Sequence, residues 1–161
     1  MVKLVVFVIM IMFFLFDEIM QKIDQFFEHW QQELLSCDTE REKYELLLDL
    51  GKELGDFPRD ARVESNKVPG CVSEVYVAVE IDADGHVQIW AESGSLIVRG
   101  FCWLLVAGLS ARSVEEILAS RELLANFALK TGIDAGMVAS RANAFMNIYQ
   151  KIFNLVNKYG K

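Results

Sequence analysis

The feature that most constrains this fold is a pair of alternating segments joined by a short turn. In residues 75–81 and again in 87–91, apolar side chains occupy every second position, which is typical of strands with one buried face. Asp84-Gly85 lies between them and predicts a type I′ turn, in which both central residues need positive φ. The residues expected to share one face are Val75, Val77, Val79, Ile81, Val87, Ile89 and Ala91, with Tyr76, Ala78 and Glu80 opposite. The sequence therefore predicts a β-hairpin.

Helical patterns precede this hairpin. Residues 18–35 have apolar side chains at helical spacing, which predicts an amphipathic helix whose aromatic residues belong to the core. Thr39 and Glu42 form a capping box that starts a second helix. Residues 59–70 have no periodicity and end in Pro69-Gly70, which predicts a loop.

Further helices are predicted after the hairpin. Residues 96–109 are apolar on nearly every side, which is typical of a buried helix, and Ser93 or Ser95 is in place to cap it. Ser113 and Glu116 form a second capping box, and residues 137–157 predict a long closing helix. The predicted architecture is α+β, with a small antiparallel sheet covered by helices.

The N-terminal apolar segment, residues 1–16, stands apart from the predicted domain, residues 17–161. Leu4–Phe16 is an unbroken apolar run of 13 residues, whereas a membrane-spanning helix needs roughly 20. Acidic residues follow it and no cleavage site is evident, so an export signal is disfavoured. Three interpretations remain open: a membrane-associating segment, an extra helix packed on the domain or on a partner, and a misassigned start codon.

Charge and cysteine content exclude several classes of function. A formal charge of −7 argues against binding to nucleic acid, which requires clustered basic residues. Residues 1–111 carry 9 basic and 19 acidic side chains, against 7 and 4 in residues 112–161. Three cysteines without a C-x-x-C pair predict no disulfide framework and favour a reducing compartment, the cytoplasm. No metal-ligand spacing is present.

Cys71 is the candidate reactive residue. It directly follows Pro69-Gly70 at the junction of a loop and a strand, where a large partner can reach a thiol. A free cysteine is also commonly a small buried hydrophobe, and the pattern alone does not separate the two interpretations. For Cys37, after a polar helix end, and Cys102, inside the apolar helix, a structural role is favoured.

Several motifs in order resemble the SufE family. They are Tyr44-Glu-Leu-Leu-Leu-Asp-Leu-Gly-Lys-Glu-Leu54, Asn66-Lys-Val-Pro-Gly-Cys-Val-Ser73, Ile97-Val-Arg-Gly100, Ser113-Val-Glu-Glu-Ile-Leu118 and Ser140-Arg-Ala-Asn143. The resemblance covers roughly residues 40–150 and implies a SufE-like fold, shared with the U-type (IscU-like) iron–sulfur scaffolds. It also implies that Cys71 accepts persulfide sulfur from a pyridoxal-phosphate cysteine desulfurase (SufS/CsdA-like), stimulates that enzyme and passes sulfur to an iron–sulfur scaffold. The chain would be an accessory sulfur-transfer protein with no metal or cofactor of its own.

The resemblance extends to residues around this cysteine. Asn66, Gly70, Ser73, Arg99 and Asn143 match family positions, so they are candidate supporting residues. For Arg99, a hydrogen bond to the loop that presents the cysteine and an ion pair with a carboxylate both remain open. Asn66 is expected to shape a turn.

The chain also departs from the family pattern. Val72 stands where the family usually has glutamine, Ser93-Gly-Ser95 replaces Ser-Asp-Ala, and Asn143-Ala-Phe replaces Asn-Gly-Leu. These differences bear on the details of docking and on the rate of transfer.

Four other functions are compatible with parts of the sequence. A U-type cluster scaffold or a zinc protein would need converging thiols, and only Cys71 lies in a candidate site loop. A cysteine hydrolase would need a histidine beside the thiol, and His29 and His86 are the two candidates. A module that binds and regulates a desulfurase without carrying sulfur would share every feature except dependence on Cys71. Self-association is left open.

Overall fold

The alternating segments form the hairpin that they predict. The computed structural model describes residues 22–133 and 143–160. Strand β1 is Val75–Ile81 and strand β2 is His86–Ser93, paired antiparallel with Val75 opposite Ser93 and Ile81 opposite Val87. A short strand β3, Arg112–Ser113, pairs antiparallel with the start of β2, so the sheet order is β1-β2-β3. Strand β3 was not predicted, because a segment of two residues is too short to show an alternating pattern.

The hairpin turn is not of the predicted type. Only Gly85 has positive φ (84°) in the turn, so the type I′ prediction, which requires two such residues, was wrong. The Gly85 N–H donates to the Asp82 carbonyl, and the Asp82 carboxylate accepts from the N–H groups of Asp84 and His86. The aspartate before the predicted turn therefore organises a longer loop.

Six α-helices cover the sheet within the part of the chain that the structure describes. They are α1 Ile23–Ser36, α2 Glu40–Lys52, α3 Leu96–Leu109, α4 Val114–Ala119, α5 Arg121–Thr131 and α6 Ala144–Asn157. Both predicted capping boxes, at the starts of α2 and α4, are present. The predicted α+β architecture is confirmed.

The closing helix is shorter than residues 137–157. Asn143 has a left-handed backbone (φ 65°) and is the residue that precedes α6, so a continuous helix does not run through it. Residues 134–142 lie outside the described part of the chain. Residues 1–21, which include the apolar segment, also lie outside it, and the division at residues 16 and 17 stays a prediction.

Helix α3 is the centre of the core, as its apolar character predicts. Nine of its residues are buried, and it packs on α2, on β2 and on α6. A Cβ added at Gly100 would overlap the backbone of Leu47 on α2, so glycine is required where these two helices approach closely.

The start of α3 is not capped by a serine side chain as the sequence predicts. Ser95 precedes α3 but its hydroxyl makes no capping hydrogen bond, and the Ser93 hydroxyl accepts from the Ser95 N–H instead. Tyr76 and Ala78 are buried although they lie opposite the core face. The Tyr76 ring is covered by the loop before β1, where Phe57 packs against it and the Arg62 guanidinium lies 5.1 Å from its centroid.

Within residues 22–133 and 143–160, no helix has the length and apolar character needed to cross a membrane.

Candidate functional site

Cys71 lies in a long connection between α2 and β1. Residues 59–74, called the Cys71 loop below, contain two single-turn 3-10 helices, Arg59–Ala61 and Glu64–Asn66. Val68 is buried, and its N–H donates to the Val75 carbonyl at 2.8 Å, which ties the loop to the start of β1. The chain then turns at Pro69-Gly70 and emerges at Cys71.

The surroundings of Cys71 are partly apolar and partly open. Its side chain is half-buried and packs against the hydrophobic core. The next side chain, Val72, is 79% exposed, so an apolar surface stands beside the thiol where the family usually has glutamine. Ser73 is half-buried. The Cys71 side chain therefore packs against the core on one side and is accessible on the other.

Two side chains of α6 hold the Cys71 loop. Asn147 Nδ2 donates to the Gly70 carbonyl at 3.3 Å, and Lys151 Nζ donates to the Ser65 carbonyl. Neither residue was predicted from the sequence, because a polar position on an amphipathic helix carries no signal of what it contacts. Asn143, the predicted supporting residue on this segment, precedes α6 and is exposed.

Asn66 acts on the shape of the loop. Its side-chain amide donates to the Ala61 carbonyl at 2.9 Å, which links the two 3-10 turns. This bond fits the expectation that Asn66 shapes a turn.

Arg99 makes neither of the two contacts predicted for it, a hydrogen bond to the Cys71 loop or an ion pair with a carboxylate. Its guanidinium donates to the carbonyl groups of Gly51 (3.2 Å) and Leu54 (3.5 Å) at the C-terminal end of α2. Both earlier interpretations were wrong, since the bonds go neither to the Cys71 loop nor to a carboxylate. Helix-end carbonyls lack intrahelical partners, and a cation is favourable there.

The other two cysteines are in different environments, and none of the three forms a disulfide. Cys102 is fully buried in α3, and burial raises its pKa to about 12, with Cys71 adding to the rise. Cys37 follows α1, and its thiol donates to the Glu33 carbonyl. Its pKa is raised, mainly by burial and next by the negative charge of Glu42. The thiolate is the reactive form, so neither site favours a nucleophile.

The two histidines are engaged elsewhere. His86 lies 3.8 Å from the Asp82 carboxylate at the hairpin tip, the end of β1 away from Cys71. The His29 ring packs edge-on against Trp30 on α1. Neither contact supplies the thiol–histidine pair that a cysteine hydrolase requires.

The hairpin tip holds a group of metal-ligating side chains that sequence spacing did not reveal. Asp82, Asp84 and His86 bring ligand atoms within 4.8 Å of one another, and this is the only such group among the residues that the structure describes. It contains no cysteine. The N–H of His86 lowers the pKa of Asp82, so the carboxylate already serves the turn.

The comparison with protein families decides the relationship. The family model for SufE, described as an Fe-S metabolism associated domain, matches residues 28–156. The chain belongs to the SufE family. The resemblance stated from the motifs is therefore confirmed.

Individual relatives agree with this assignment. An uncharacterized SufE-like protein of Synechocystis is 35% identical over 127 residues, which cover 75% of this chain and 77% of the relative. The cysteine desulfuration protein SufE of Plasmodium falciparum is 31% identical over 114 residues, or 68% of this chain and 45% of that protein. The chain thus spans less than half of the Plasmodium protein.

A solved structure shares the fold. The solution structure of a hypothetical protein from Thermus thermophilus superposes with a TM-score of 0.66 over 83% of this chain and 94% of that one. The two sequences are 19% identical, so this match shows a shared fold and nothing more.

Proposed function

We propose that this SufE-family protein accepts sulfur as a persulfide on Cys71 from a pyridoxal-phosphate cysteine desulfurase. In doing so it stimulates the desulfurase, and it passes the sulfur to an iron–sulfur scaffold. The observation that carries the proposal is the contrast among the three thiols. Cys71 is presented by a tethered loop, whereas Cys102 is fully buried and the pKa of Cys37 is raised.

The chemistry is a thiol–persulfide exchange. The Cys71 thiolate attacks the terminal sulfur of the desulfurase persulfide, a new S–S bond forms at Cys71, and the S–S bond on the desulfurase breaks. The desulfurase cysteine leaves as a thiolate and Cys71 becomes the persulfide. Because one S–S bond replaces another, the step needs no external oxidant or reductant.

A reducing compartment such as the cytoplasm fits this chemistry. The three cysteines form no disulfide, and an acceptor thiol has to stay reduced between turnovers. The cluster-scaffold alternative is less well supported, because thiolate ligands for a cluster would have to converge. Cys71 is close enough to Cys102 to add to the rise in its pKa, but Cys102 is fully buried, and among the described residues no group of three or more ligand side chains includes a cysteine.

The test locates the added sulfur. The full-length protein is incubated with a cysteine desulfurase and cysteine, and the intact chain and its peptides are analysed by mass spectrometry. We expect a single added sulfur atom, removable by reductant, on the peptide that contains Cys71. Cys71→Ser should lose both the added sulfur and most of the stimulation.

Two outcomes contradict the proposal. Full stimulation of the desulfurase by Cys71→Ser would indicate a binding module that does not carry sulfur. Equal labelling of Cys37, Cys71 and Cys102 would indicate non-specific exchange.

A further inference from the structure

The strongest unassigned feature is a pair of long-range hydrogen bonds into the Cys71 loop. Asn147 reaches the Gly70 carbonyl across 77 positions of sequence, and Lys151 reaches the Ser65 carbonyl across 86. Both donors lie on α6, and both acceptors are backbone groups of the loop. A contact of this kind fixes the path of the chain whatever side chains the loop carries.

The two donor side chains lie on a helix that is packed into the core. Residues four apart share one side of a helix and are separated by about 6 Å along its axis. The opposite side of α6 is fixed in the core by fully buried side chains of Phe145, Ile148, Tyr149 and Ile152. The donors therefore keep their spacing while the loop is held against them.

The Gly70 bond acts directly on Cys71. The Gly70 carbonyl and the Cys71 nitrogen belong to one planar peptide unit, so holding the oxygen sets the orientation from which Cys71 leaves the turn. Gly70 has φ +77°, and a Cβ added there would lie 3.1 Å from Asn147 Nδ2. Asn147 is thus packed over this peptide as well as bonded to it.

Contacts within the loop fix this turn less well. The Lys67–Glu74 ion pair is 3.1 Å long, but its side chains are 34% and 58% exposed, and exposed pairs contribute little. The Val68–Val75 hydrogen bond ties the chain before the turn begins. The bond from Asn147 is also exposed and is 3.3 Å long, but it holds the peptide that Cys71 itself shares.

We propose that Asn147 and Lys151 are positioning residues, which hold the Cys71 loop in the conformation that presents the thiol to the desulfurase persulfide. This inference rests on the proposed function of Cys71. Without the donors, only a fraction of molecules has the thiol correctly placed, and the transfer rate at saturating desulfurase falls in proportion. A hydrogen bond of this kind corresponds to about a 3–10-fold lower rate.

The experiment uses a matched pair of full-length variants. Asn147→Asp keeps the shape of the side chain but removes the donor. Asn154→Asp adds the same charge to an exposed position of α6 and keeps the acceptor that Gln150 binds. A second pair is Lys151→Met, with exposed Lys158→Met as its control. The variant Asn147→Gln, which keeps an amide donor, tests rescue.

Three measurements are made on each variant: the maximal rate of sulfur transfer, the unfolding midpoint, and deuterium uptake of the peptide that contains residues 65–74. We expect Asn147→Asp to transfer sulfur about 3–10-fold more slowly than Asn154→Asp. We also expect greater deuterium uptake in this peptide at an equal unfolding midpoint. Lys151→Met should show the same pattern, and Asn147→Gln should recover part of the rate.

Failure of this inference is distinguishable from failure of the proposed function. If the wild-type protein gains no sulfur on Cys71, the proposed function is wrong, and deuterium uptake alone decides whether α6 holds the loop. If the wild-type protein is active and Asn147→Asp matches Asn154→Asp in rate and uptake, the positioning role is overturned. A lower midpoint with increased uptake throughout α6 would likewise overturn it in favour of a purely structural role.

Discussion

Arg99 belongs to a mostly buried helix, and its hydrogen-bond partners are backbone carbonyl groups. It lies on α3, yet its guanidinium donates to Gly51 and Leu54 at the end of α2. Gly51 lies in the last turn of α2, where carbonyl groups lack the usual i+4 partner, and Leu54 lies two residues beyond the end of the helix. The charge also faces the negative end of the helix dipole. Arg99 therefore stabilises the junction from which the Cys71 loop departs.

We predict that Arg99→Ala lowers the free energy of unfolding by about 1–3 kcal/mol, the usual contribution of hydrogen bonds from a charged donor. Arg112→Ala, a half-buried arginine in the edge strand β3, should change it by only about 0.5 kcal/mol. Urea unfolding followed by circular dichroism measures both. Equal losses in the two variants would show that the carbonyl bonds add nothing specific.

Individual residues differ in how far the sequence could identify them. Cys71 was predicted as the candidate reactive residue because its motif is contiguous and its flanking turn is local. Asn147 was not, since its partner lies 77 positions away and nothing near it in sequence marks the contact. Arg99 was a candidate because it matches a family position, but the partners predicted for it were wrong for the same reason.

Helices α2 and α3 approach each other closely in the core. A Cβ on Gly100 would meet the backbone of Leu47, and one on Gly51 would lie 2.9 Å from the Leu96 carbonyl. Two glycines facing each other let the helix backbones touch, at some cost in helix propensity. This contact also brings Arg99 within reach of the end of α2.

Gly100→Ala should separate these helices and lower the free energy of unfolding by about 2–4 kcal/mol, because the clash is with backbone that cannot rotate away. Gly55→Ala is the control, since a Cβ there meets nothing within 4 Å, and its effect should stay within about 1 kcal/mol. Chemical denaturation of both variants is the measurement. A stability of Gly100→Ala at or above that of the wild type would mean that the helices adjust without cost.

The elements that were predicted correctly are those determined by residues close together in the sequence. The capping boxes at Thr39 and Ser113 and the alternation of β1 and β2 depend on neighbouring residues, and all formed as expected. The predicted turn type was wrong because the Asp82 side chain accepts hydrogen bonds from the N–H groups of the turn. Tyr76, on the opposite face of β1, is buried because Phe57 and Arg62 from the loop before β1 cover its ring.

The hydrophobic core of the described residues is continuous. One continuous cluster runs from Ile23 on α1 through α3 and the sheet to Val156 on α6. The family match begins at residue 28, well beyond the apolar segment. The boundary between residues 16 and 17 stays a prediction, and it implies a domain that keeps this core when residues 1–16 are removed.

We therefore predict that deleting residues 1–16 changes the free energy of unfolding by no more than about 1 kcal/mol. Sulfur acceptance on Cys71, the proposed function, should be unchanged. The control is a deletion through residue 30, which also removes Ile23 and Phe27, 8% and 2% exposed. Loss of a buried phenylalanine alone costs about 3–5 kcal/mol, so the longer deletion should lose its cooperative transition. Denaturant unfolding and the desulfurase assay distinguish the two deletions. If the shorter one also unfolds without a cooperative transition, residues 1–16 belong to the core, and the boundary placed between residues 16 and 17 is wrong.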